Sequence, residues 1–207
     1  MNNKTKKILV IVLILVAILS FGFVYYKITH KESPKIDEVK KEDEIQTKEF
    51  DYTLYDNKSD LYKEYFGQLK EELLKDEVND EEYAKIISKL FVVDFYSLSD
   101  KVTSTDVGGL DFIYENIKEN FLLKATDTMY KNIQSNVYGD RKQDLPKITG
   151  VEVKTIAPKI VTIGDLTDQN GYTSTVSITY AKDMGYPKEV TLTLVHVLKK
   201  LYIVEVK

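Results

Sequence analysis

A chain of 207 residues has room for one domain and an anchor but hardly for two full domains. Its charged fraction of 30% and hydrophobic fraction of 43% fit a folded part and exclude wholesale disorder. The formal net charge is −4 with three lysines gathered at the start, so the rest is acidic and unsuited to nucleic acid, while the absence of cysteine excludes disulfides, thiol catalysis, Cys-ligated metals and a lipidated-Cys anchor.

Lys4, Lys6 and Lys7 precede an uncharged run from Ile8 to Tyr26. As a helix this run spans about 28 Å, close to the hydrocarbon thickness of a bilayer. We expect a cytoplasmic tail over 1–7, a transmembrane helix over 8–26 as the membrane contact, and everything beyond it outside the cell. Tyr25 and Tyr26 suit the interface, and the early lysines favour a cytoplasmic N-terminus. The competing reading is a cleaved signal peptide ending near Ser20-Phe21-Gly22. The apolar run continues past that point, which favours a retained anchor. His30 lies just beyond the run as interfacial decoration.

Residues 27–58 are rich in Lys, Glu and Asp and read as a charged stalk that buries too little apolar area to fold. The domain proper is expected over 59–207. A first helix runs from about Asp60 to Leu74 behind Ser59 as N-cap, with a stripe of Tyr62, Tyr65, Phe66, Leu69 and Leu73. Asn79 and Glu82 give a capping-box start to a second helix, with Tyr83, Ile86, Ile87, Leu90 and Phe91 on its inner face. Gly108-Gly109 marks a turn, and a third helical stretch follows from about Leu110 to Gln134, with a break near Glu119 left open.

From Ile148 the apolar period changes to two. Strands are expected over 148–163, 172–181, 189–198 and 201–206, with Pro158 marking an edge or bulge and Lys199-Lys200 a tight link. The fold class is therefore α+β: three helices packed on a curved antiparallel sheet of three or four strands, behind an N-terminal transmembrane helix.

This element order resembles the cone-shaped, cystatin-like fold of the nuclear transport factor two-like superfamily. With an N-terminal membrane helix it is similar to the scaffold subunits of type IV secretion and conjugation machines. The segments DVGGLDF at 106–112 and RKQDLP at 141–146 look like parts of uncharacterised membrane proteins from low-GC Gram-positive bacteria. The resemblance implies a protein–protein assembly role or, as in the superfamily's isomerases and dehydratases, an inward acid or Asp/His pair in the cone.

Two residues are candidates for such a pocket. Asp94 continues the stripe of Tyr83, Ile87 and Leu90, and burial would raise its pKa toward that of a general base. His196 lies on the face of Val190, Leu192, Leu194 and Leu198. The bland reading makes both hydrogen-bonded structural groups. Tyr52, Tyr55, Tyr62 and Tyr65 cluster where stalk meets domain, either as a partner-binding surface or as packing. Asp165, Asp168 and Gly171 crowd one loop without a calcium-loop pattern, so no metal or cofactor is expected.

The expected function is a non-catalytic interaction or assembly module of a bacterial cell-surface system, anchored in the membrane as a single-pass protein. A protein partner is expected and a homo-oligomer is left open. The alternative is a small-ligand-binding or enzymatic domain that uses the cone.

Overall fold

The computed structural model describes Ser20 and residues 39–47 and 49–207. The expected transmembrane helix over 8–26 lies outside the described residues apart from Ser20. Among the described residues no helix is long and apolar enough to cross a membrane. Residues 39–207 fall in one compact unit, Asp37–Lys207.

The expected stalk is corrected at its outer half. Strands β1 (Lys41–Gln46) and β2 (Asp51–Tyr55) form an antiparallel hairpin, with Ile45 opposite Tyr52. Thr47 sets the turn, its hydroxyl accepting from the backbone N–H of Glu49 and of Phe50. Ile45, Phe50, Tyr52 and Leu54 are buried in the common core. The outward face carries the charges that made the stretch read as a spacer. Two of them are paired to the first helix, Glu42 to Lys63 at 2.6 Å and Asp43 to Lys70 at 2.7 Å. A hairpin alone is marginal in water, and this one is held by what it packs on.

Helix α1 (Asp60–Leu73) starts where expected, the Ser59 hydroxyl accepting the Tyr62 N–H, and its predicted stripe is buried. Helix α2 (Asp80–Tyr96) starts at Asn79, whose side chain accepts the Glu82 N–H at 3.0 Å. From Tyr83 onward it is buried on nearly every side, as befits a central helix apolar all round.

The third helix is shorter than its sequence suggested. A 3-10 turn covers Leu110–Phe112, and α3 spans only Glu115–Asp127. Between them Ile113 is extended and pairs in parallel with Ile203 of the last strand, so the chain touches the sheet edge before it coils. Beyond Asp127 the buried Tyr130 turns inward, donating its hydroxyl to the Phe95 carbonyl at 2.6 Å.

Strands β3 (Ile148–Ile163), β4 (Leu166–Tyr180), β5 (Glu189–Val197) and β6 (Lys200–Val206) form an antiparallel meander in that order. Pro158 sits in β3, an edge strand, beside a register shift between Lys159 and Val161. Three such shifts along the β3–β4 ladder bend the sheet. Its inner face carries Val176, Ile178, Leu192, Leu194, Leu201 and Ile203, all buried in one cluster with Phe66, Tyr83, Leu90 and Phe91 of the helices. Strand β4 begins six residues before the sequence suggested, because Thr167 and Asp168 still pair with β3 across the tight turn at Gly164.

Candidate functional site

The expected tyrosine surface is mostly interior. Tyr52, Tyr62 and Tyr65 are buried, and only Tyr55 stands open, at 38% exposure. For those three the packing role prevails over the partner surface. The Tyr52 hydroxyl bonds that of Tyr83 at 2.5 Å, and the Tyr83 hydroxyl also accepts the Leu201 N–H, which pins the β1–β2 hairpin to β6 through α2. Burial pushes the Tyr52 and Tyr62 phenols well above their ordinary range. Tyr65 lies apart, its hydroxyl reaching the Val151 carbonyl at 3.4 Å under the ammonium of Lys89.

Three of the four tyrosines nevertheless share a surface depression of about 320 Å3. Tyr52 and Tyr62 form its floor with Phe112, and Tyr55 stands at the rim with Tyr114 and Tyr202. The rings of Tyr114 and Tyr202 meet edge to face at 6.3 Å. Lys200 enters from β6, its ammonium 4.3 Å from the Tyr52 ring centre and 5.5 Å from that of Tyr202, donating to the Asp51 carbonyl at 2.7 Å. Burial pushes the Lys200 ammonium down. Sequence reasoning missed Lys200, Tyr114 and Tyr202. The alternation of β6, with Leu201 and Ile203 inward, was the available signal for placing Lys200 and Tyr202 together.

Asp94 is buried near the end of α2, as its stripe position implied. Its carboxylate accepts from Lys101 and from Lys58, each at 2.8 Å, and from the Gly109 backbone N–H at 2.8 Å. Burial acting alone would raise its pKa; the charges of Lys101 and then Lys58 outweigh it and hold the carboxyl down at about 2. This is the hydrogen-bonded arrangement of the bland reading of Asp94. Gly108 is forced by the same packing, since a Cβ there would overlap the Asp94 carbonyl and crowd the Lys101 ammonium.

His196 on β5 is partly buried. Asp168 holds it twice, one carboxylate oxygen accepting the His196 backbone N–H at 2.6 Å and lying 2.9 Å from Nδ1. Nε2 faces Asp80, 3.4 Å away at the start of α2. Asp168 thus serves β4–β5 pairing rather than a loop shared with Asp165, and its carboxyl is held below the usual range: burial opposes this, but the N–H groups of His196 and Asn170 and the His196 ring prevail. Leu198, expected on the same inner face, lies instead in the β5–β6 turn at 96% exposure.

His196 borders a shallow groove of about 730 Å3 with Lys75, Glu77 and Lys199, whereas Asp94 borders a slot of about 40 Å3 with Lys58 and Lys101. The two expected pocket residues do not share a cavity. No family model, curated protein or solved structure matches the chain.

Proposed function

We propose that the chain is a membrane-anchored, extracytoplasmic interaction or assembly module, non-catalytic and single-pass through residues 8–26. The observation that carries this reading is the filled interior. Phe66, Tyr83, Phe91, Leu192 and Leu194 pack the space between helices and sheet where a cone-type enzyme would hold its substrate. The polar groups that would serve such a pocket are engaged elsewhere, Asp94 with two lysines and His196 with Asp168. The order of three helices before a four-stranded meander is in keeping with the resemblance to cystatin-like scaffold domains. The packing of these interior side chains weighs against the alternative of a substrate pocket at the centre of the cone.

Photo-crosslinking in intact membranes tests the reading. A crosslinking residue replaces Tyr55 on the hairpin or Ile160 on the edge strand β3, both exposed. A discrete adduct with a second protein, or with a second copy, is expected from at least one position. Monomer alone at both positions would overturn the proposal.

A further inference from the structure

We propose that the depression between β2, β6 and the start of α3 binds a neutral sugar ring. The inference goes beyond the assembly role and depends neither on the anchor nor on the side of the membrane.

A sugar ring has an apolar C–H face and an edge of hydroxyls. Each hydroxyl both donates and accepts, so a site for it needs an aromatic platform bordered by both kinds of partner. The depression has both. Tyr55, Tyr114 and Tyr202 present partly exposed rings at its rim. Lys118 and Lys200 bring donors, and the carboxylates of Asp111 and Glu115 bring acceptors. Lys118 and Glu115 hold each other at 2.7 Å, and the Asp51 carbonyl fixes Lys200 over Tyr52. One of the three Lys200 donors is used on that carbonyl, which leaves others for a ligand.

Charge selects against the other ligand classes. Lys200 occupies the position over Tyr52 that a ligand cation would take, and Lys118 lies in the same lining, which disfavours amines. Asp51, Asp111 and Glu115 together disfavour phosphates and other anions. A volume of about 320 Å3 lies at the small end of ligand sites and suits one ring of a longer glycan.

The test is saturation-transfer NMR on the full chain in a sugar-free detergent, with maltotetraose and tetra-N-acetylchitotetraose as probes. Transfer to ring C–H protons is expected for at least one. Tyr202→Ala should raise its dissociation constant about tenfold or more. Leu198→Ala, outside the depression, should leave it unchanged. If melting shows that Tyr202→Ala has lost its fold, Tyr55→Ala, at a more exposed ring, decides by the same criterion. No transfer with either probe, transfer unaffected by the deciding variant, or binding of inorganic phosphate or spermidine in place of both sugars would overturn the proposal. Because the measurement involves neither membrane nor protein partner, its failure is distinct from failure of the assembly role.

Discussion

Replacing Lys101 by Met tests whether the Asp94 cluster holds the helical layer together. Lys101 is 6% exposed and Asp94 9% exposed, so neither charge has water to fall back on. In Lys101→Met the carboxylate keeps Lys58 and the Gly109 N–H but loses its more buried cation. Breaking a buried pair from one side costs about 3–5 kcal/mol, and the remaining partners place this case near the lower end, about 3 kcal/mol. That is a large share of the roughly 5–15 kcal/mol of a domain this size. Adding Asp94→Leu removes the under-paired carboxylate but leaves the buried Gly109 N–H without its acceptor and Lys58 without its partner, so no net recovery relative to Lys101→Met is expected. The same cluster sets an acid limit. A carboxyl lowered from 3.8 to about 2 contributes stability that is complete above its unfolded value and lost as pH falls through the folded one. The wild-type domain should therefore lose about 2 kcal/mol from this group between roughly pH 5 and pH 2, and Asp94→Asn should lack that part of the slope. Urea unfolding of residues 37–207, followed by far-UV circular dichroism, reads all of these. If Lys101→Met unfolds within about 0.5 kcal/mol of wild type, the cluster is not structural and the reasoning fails.

Deleting the hairpin should unfold the domain. Ile45, Phe50, Tyr52 and Leu54 are buried and worth about 1.5–3 kcal/mol each, so a fragment starting at residue 59 should show no cooperative melt while 37–207 does. A sharp transition in the shorter fragment would return β1 and β2 to the role of a stalk. Leu198→Gly should raise stability by up to about 1 kcal/mol, because Leu198 holds φ of 59° with its side chain in water; an unchanged or lower melting temperature would count against that strain. Asp168→Ala should cost about 1–3 kcal/mol, since the backbone N–H groups of His196 and Asn170 lose their acceptor, and a loss below about 0.5 kcal/mol would show that water replaces it.

The helical stripes and the strand alternation were legible because each follows from one periodicity, and Tyr62 to Leu73 and Tyr172 to Ile178 are buried accordingly. The hairpin was not. Its core contribution rests on a few inward residues among acidic and basic ones, and composition averages them away. The third helix was overextended because Ile113 is apolar for a contact with β6, and no local period separates that from a helical face. The inward aim of Asp94 was readable, but its chemistry was not. Lys58 comes from before α1 and Lys101 from after α2, and only the fold brings both to one carboxylate and holds it as a paired anion. Likewise three of the clustered tyrosines line one depression, two of them as its floor, and Lys200 joins them from the far end of the chain.

The absence of cysteine makes the central claim, a domain held outside the cell by residues 8–26, directly measurable. Leu198→Cys places a single thiol at a position 96% exposed, and Asn3→Cys places one before the apolar run. Intact cells producing each full-length variant are treated with a membrane-impermeant maleimide, then lysed and treated again. Leu198→Cys should label on intact cells and Asn3→Cys only after lysis, both in the membrane fraction. A Leu198→Cys thiol that labels only after lysis would contradict it.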